Sequence, residues 1–211
     1  MTAYTKPEEI EKRSFEMIRS ELPHPPDPVF APIILRVIHT TADFDYADSL
    51  AFSKNAVELA VTALRKGVPI VSDTAMVKAG VDKTRLHALG SEAHCFMGDE
   101  DVAETARLRG VTRAHAAVDK AAAMGKPVIF AVGNAPTALL RICELKETGQ
   151  CFPAFVVGVP VGFVNVVESK EALMRSGIPY ITARGRKGGS NVAAAICNAL
   201  LRMAGSEGKP V

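Results

Sequence analysis

Five short runs rich in β-branched residues, each followed by a stretch with helical spacing, constrain the fold of this chain more than any other feature. The runs are Val68–Ser72, Ala93–Met97, Pro127–Val132, Ala154–Val159 and Pro179–Ala183. Helical stretches follow at Thr74–Ala79, Asp101–Met124 with a break at Gly110, Thr137–Lys146, Ser169–Arg175 and Ser190–Met203. Another, Lys54–Lys66, precedes the first run and stops at Gly67, a residue that tolerates the left-handed turn closing a helix. Strands separated by helices are expected to run in the same direction, so the pattern predicts a parallel sheet with helices on both faces. Strands covered on both faces need to be apolar along their length, and these nearly are. The expected fold class is α/β, a three-layer α/β/α arrangement around a mainly parallel sheet of about five strands.

A helical segment is expected before this core. Thr5 is placed to cap a helix, Glu8 lies three residues on, and Pro7 is tolerated in a first turn. Ile10, Ser14, Met17 and Ile18 recur at helical spacing, with Phe15 and Leu22 widening the stripe. The Pro-rich stretch from Pro23 to Pro28 ends it. The apolar segment Phe30–Ile38 is expected to be helical toward its end despite Pro32, and to deliver His39 into a polar turn from Thr40 to Asp48. No domain boundary is visible. A single domain over 1–211 is expected, with a helical segment at about 5–38, an α/β core at about 53–203 and a frayed tail beginning at Gly205.

Several function classes are disfavoured. The formal net charge is only +2, and no run of Lys and Arg is interleaved with aromatics, so a nucleic-acid partner is not expected. The first residues, MTAYTKPEEIEKRSF, lack the apolar centre of a signal peptide, and no stretch reaches the ~20 apolar residues that span a bilayer. The four cysteines are scattered and none forms a C-x-x-C pair, which suits a reduced cytoplasmic protein. Nucleotide motifs are missing: GRKGGS has the wrong spacing for a phosphate loop, and no G-x-G-x-x-G follows a strand. There is no H-E-x-x-H, and Ser190 lacks the G-x-S-x-G of a hydrolase elbow.

In an open parallel sheet, ligands bind outside the carboxyl ends of the strands. The segments there are Ser72–Thr74, Gly98–Glu100, Gly133–Thr137, Gly158–Phe163 and Arg184–Ser190. Four of them contain glycine, which lets backbone approach a ligand closely. Helices that begin just beyond are expected to aim free N–H groups into the same space, and Arg184, Arg186 and Lys187 add full charges. Each loop alone reads as an ordinary turn. Together they point to a broad, anionic ligand. Among the histidines, His24 lies in the Pro-rich linker, and His87 and His115 sit in helical stretches as structural residues. His39 differs because it follows a buried segment, where either a structural or a catalytic role is open.

In several stretches the chain resembles the precorrin-8X/cobalt-precorrin-8 methylmutases. They are Ile10–Phe15, Arg36–His39, Pro69–Val77, Gly133–Leu139 (GNAPTAL), Pro160–Val164 (PVGFV) and Arg184–Ser190 (RGRKGGS), in order over nearly the whole chain. The last three together are highly specific. The resemblance implies a flavodoxin-like fold, and migration of a methyl group from ring carbon 11 to ring carbon 12 of a corrin macrocycle. It also implies a homodimer with sites near the subunit interface and His39 as catalytic acid or base. Ser14 and Arg36 match positions that contact the substrate in the family, and with Arg113, Asn134, Arg184 and Arg186 they make up the substrate-binding candidates. A rearrangement within one molecule requires no cofactor and no protein-bound metal. The text at Cys95–Asp101 and Gly110–Arg113 looks more like the cobalt-containing, oxygen-independent branch. A corrinoid carrier without turnover remains an alternative at this stage, since it would need only the anion-binding loops. Another anion-binding isomerase remains only if the motif matches are accidental.

Overall fold

The computed structural model describes residues 6–206. Along the chain run α1 (Pro7–Glu21), α2 (Ala31–Thr41), α3 (Tyr46–Ser49), β1 (Leu50–Phe52), α4 (Ala56–Arg65), β2 (Ile70–Ser72), α5 (Ala75–Gly80) and α6 (Lys83–Ala88). Then follow β3 (Ala93–His94), α7 (Glu100–Arg109), α8 (Arg113–Ala122), β4 (Val128–Val132), α9 (Pro136–Glu147), β5 (Pro153–Gly158), α10 (Val166–Arg175), β6 (Tyr180–Ala183) and α11 (Ser190–Gly205). The strands form one sheet in the order β1-β6-β5-β4-β2-β3, parallel throughout except that β1 runs antiparallel to β6.

Alternation along each strand builds the layers. Ile129, Phe155, Val157 and Ile181 face one side, where they join apolar residues of α2, α4 and α11 in a single cluster. Val128, Phe130, Val132 and Val156 face the other, against α8, α9 and α10. Phe130 and Phe155 are fully buried on opposite faces. This is the expected α/β/α layering, and the five expected strands are all present and mutually parallel.

The differences are local. The sixth strand, β1, was not expected; it lies between the polar turn ending at Asp48 and the helix expected from Lys54, and it caps the sheet edge beside β6. The short α3 overlaps the end of that polar turn, and α6 supplies the helical stretch expected around His87, which had been given no bounds. β3 stops at His94, earlier than expected, because Phe96 and Met97 turn to pack against α7 and α8. His39 is inside α2, which continues to Thr41 before Ala42 closes it with a left-handed φ of 53°. The expected cap Thr5 and tail residues 207–211 lie outside the described residues. Among the described residues no helix is long and apolar enough to cross a membrane.

Candidate active site

The strand order sets where a ligand can enter. From β2 the chain moves outward to β3, then crosses back to β4, β5 and β6 on the other side. The connections after β2 and β4 therefore diverge and leave a crevice between the carboxyl ends of these neighbouring strands. Asp73 follows β2 there, and its carboxylate accepts three backbone N–H bonds from the turn after β4. Gly133 donates at 2.9 Å, Asn134 at 2.8 Å and Ala135 at 2.6 Å. Burial pushes the Asp73 carboxyl up, against these three bonds that favour its charge. Every contact it makes is with a donor, so the ionised form is the one that fits. These three N–H groups lie in the turn before α9 rather than in its first turn, and because the chain's own carboxylate takes them, that turn does not offer them to a ligand. The Asn134 side chain remains exposed on the rim.

The segment after β6 is tied down through its backbone. Arg184 N–H donates to the Ser49 carbonyl at 2.7 Å, and Gly189 N–H to the Val159 carbonyl at 2.9 Å. Gly188 lies so close to the β5 end that a Cβ would stand 2.1 Å from the Val159 oxygen, so only glycine fits. Lys187 was counted among the charges offered to a ligand. Instead its ammonium bonds Asp43 and Asp45, each at 2.6 Å, and fastens this segment to the turn after α2. Its bond to Asp43 holds that carboxyl below the usual range. Arg184 and Arg186 are exposed and have no carboxylate partner among the described residues. The Arg186 guanidinium lies 5.4 Å from the ring centre of Phe163, which is 81% exposed.

The Lys187 bridge brings the carboxyl-end edge next to the last turn of α2, where His39 sits. His39 is exposed, with its ring 5.2 Å from that of Phe15 and no hydrogen-bond partner for its nitrogens among the described residues. It borders a groove of about 290 Å³ with Ser14, Ile18, Ala42 and Phe44. The Ser14 hydroxyl donates to the Ile10 carbonyl at 2.8 Å, leaving its oxygen able to accept. Arg36, one turn before His39, is paired with Glu11 and lies 4.7 Å from the centre of the Phe15 ring. Partial burial raises the Glu11 carboxyl, but Arg36 and Arg202 outweigh it and hold it low. Arg113 opens α8 and is exposed. The neighbouring Thr112 hydroxyl meets that of Thr137 at 2.9 Å, which sets Arg113 near the start of α9 and thus near Asn134. His24 and His87 are exposed, and His115 faces Asp119 at 3.9 Å.

A family model described as Precorrin-8X methylmutase matches residues 9–203. The chain belongs to the precorrin-8X methylmutase family. It is 44% identical over 202 residues to the cobalt-precorrin-8 methylmutase of Priestia megaterium, covering 95% of this chain and 90% of that one. With the cobalt-precorrin-8 methylmutase of Salmonella typhimurium it shares 48% over 203 residues, 93% of this chain and 95% of the relative. The crystal structure of a precorrin-8x methyl mutase from Thermus thermophilus superposes with a TM-score of 0.84 at 41% identity, covering 92% of this chain and 96% of that one. The methylmutase is thus an enzyme of the isomerase class in cobalamin biosynthesis, and a carrier without turnover is not favoured.

Two residues of this methylmutase outside the candidates expected from sequence also shape the site. One is Asp73, which the site is built around; the signal was an acid directly after a strand beside the expected crevice. The other is Lys170, whose side chain is buried beneath the arginine segment. Its signal was its spacing, since it shares a helical stripe with Val166, Ser169 and Leu173.

Proposed function

We propose that this methylmutase moves a methyl group from ring carbon 11 to ring carbon 12 of cobalt-precorrin-8, with His39 as the proton donor and acceptor. The observation that carries the reading is the state of His39. A histidine kept to satisfy buried backbone would be hydrogen-bonded and enclosed, whereas this one is exposed, has no hydrogen-bond partner among the described residues and is set at the edge of a groove. The cobalt-bearing substrate is supported by the names of the curated relatives in Priestia megaterium and Salmonella typhimurium.

The chemistry asks little else of the protein. A methyl shift along a conjugated ring is eased when the π-system becomes electron-poor, and a proton or hydrogen bond from imidazole does this. The proton returns to His39 once the methyl has moved, so the reaction is a net isomerisation. With cobalt on the ring nitrogens, a peripheral ring atom receives the hydrogen bond. Arg184, Arg186 and Arg113 hold the acetate and propionate carboxylates at the rim, and Asn134 and Ser14 add neutral hydrogen bonds. Arg36 acts from its pair with Glu11 and its contact with Phe15, fixing α1 beside the histidine. All of this lies within 1–211 acting as one domain, in the cytoplasm.

The groove beside His39, about 290 Å³, would hold only an edge of a corrin macrocycle. That supports a homodimer in which a second copy completes the enclosure. Light scattering should give about twice the 22.4 kDa of one chain, and a mass of one chain at micromolar concentration refutes this part. The test of the reaction is His39→Ala, assayed by the absorption change as cobalt-precorrin-8 is converted to cobyrinate. Positioned acid–base groups contribute ~10²–10⁴ in rate. The variant should lose at least that much turnover while it still binds cobyrinate. Turnover within a few-fold of wild type would remove His39 from the mechanism.

A further inference from the structure

We propose that Lys170 is a positioning residue, whose buried ammonium holds the backbone of residues 184–188 so that two peptide N–H groups and two arginine side chains face the substrate carboxylates. The inference rests on the reading of Arg184 and Arg186 given above. Lys170 lies on the face of α10 that packs inward, and the residue is 1% exposed. Its nitrogen donates to the Gly185 carbonyl at 2.9 Å and the Lys187 carbonyl at 2.7 Å. No carboxylate pairs with it among the described residues.

An ammonium in such a place is costly, because burial without a counter-ion disfavours the charge. Burial alone pulls its pKa down from 10.5 to about 8. A methionine would fill the same volume without that cost, so packing does not account for a lysine here. What lysine adds is control of two peptide units. In a trans peptide the carbonyl and the following N–H point in opposite directions. With the carbonyls of Gly185 and Lys187 drawn inward to Lys170, the N–H groups of Arg186 and Gly188 are turned outward. Neither of these two N–H groups has a backbone acceptor among the described residues. The intervening Arg186 carbonyl accepts instead from Gly162 N–H at 3.3 Å, which keeps the segment from rotating. Outward N–H groups in succession form an anion-binding concavity, and the two exposed arginines border it.

The test uses the full chain with Lys170→Met and Lys170→Gln, and cobyrinate as the probe. Lys170→Met should keep or raise the melting temperature yet weaken cobyrinate binding by about tenfold or more, the loss of one charge-assisted contact. KM should rise while kcat stays within a few-fold, since His39 is untouched. Lys170→Gln keeps an amide donor and should fall between, and it serves alone if the methionine variant does not fold. Hydrogen exchange supplies a readout independent of ligand, because the Arg184 and Gly189 amides should lose protection in Lys170→Met. Unchanged exchange overturns the structural part of the proposal. Wild-type binding with equal binding by both variants overturns the functional part. If wild type itself does not bind cobyrinate, the reading of the arginines fails and the functional role of Lys170 falls with it, whereas the exchange result still decides whether Lys170 holds the segment.

Discussion

Replacing Asp73 by asparagine tests the centre of the site with almost no change of shape. One carboxylate oxygen takes the Gly133 N–H and the other takes those of Asn134 and Ala135. The asparagine oxygen is best used on the side with two donors. Its NH2 then faces the Gly133 N–H, donor against donor, at a site where Asp73 is only 6% exposed and water has little access. One hydrogen bond to a charged group, ~1.5–3 kcal/mol, is lost outright and the two that remain become neutral. The expected loss is ~3 kcal/mol, a large share of the ~5–15 kcal/mol that holds a domain together. For a chain of this size that corresponds to a fall of about 6–12 °C in melting temperature. Urea unfolding followed by circular dichroism should show a lower midpoint with an unchanged slope, since little surface exposure changes. Asp73→Ala, which strands all three N–H groups, should lose more. An Asp73→Asn protein within ~0.5 kcal/mol of wild type, the usual range for surface substitutions, would refute the view that this carboxylate organises the turn.

Arg184→Ala and Arg186→Ala should each weaken cobyrinate binding about tenfold, with Arg186→Lys recovering only part because it lacks the planar fork; unchanged titration curves for both alanine variants would count against the rim contacts. Gly188→Ala should give little folded protein, because its Cβ would meet backbone at 2.1 Å, and a variant that melts like wild type would mean the segment moves aside at no cost. Stability should also carry a mark of Lys170. Its native pKa of about 8 lies below the ordinary 10.5, so between these values the unfolded chain holds a proton that the folded one has lost. Folding stability attributable to this group therefore rises with pH across that window, and the penalty is greatest below it. The difference between wild type and Lys170→Met, measured by urea unfolding from pH 7 to 10.5, should shift in favour of wild type as pH rises; a flat difference contradicts this.

The fold was legible where many residues repeat one signal. Val128–Val132 and Pro153–Gly158 are apolar on both faces, and turn residues bound them, so the parallel strands read directly from sequence. The break between α7 and α8 was equally plain at Gly110, which takes a left-handed φ of 65°. β1 was not legible, because three residues carry no period and their pairing with β6 is set by partners 130 or so positions away. In the site, Arg184, Arg186 and Asn134 could be placed at the sheet edge from the strand pattern alone. Lys187 could not be told from its neighbours, since only the fold brings Asp43 and Asp45 to it. The same holds for Arg36, which looked like an open charge and is paired with Glu11. Charge at a position is visible in sequence; whether that charge is already neutralised depends on distant partners.

The placement of α11 has a consequence for how the chain is made. This helix buries ten of its residues and is the common partner of α2, α4, α5 and α6 on one face of the sheet. It begins at Ser190, whereas α2 ends at Thr41, so roughly 150 residues of synthesis separate them. At ~5–20 residues per second, α2 leaves the ribosome about 7–30 s before the helix that covers it. Through that interval Ile34, Val37 and Ile38 lack the surface they finally pack against, and the nascent chain presents them to solvent, to chaperones and to other chains. Packing of this face therefore waits for α11, even though the strands it covers are made before it. A ribosome that stalls before α11 would release a chain with its strands encoded and its principal core open.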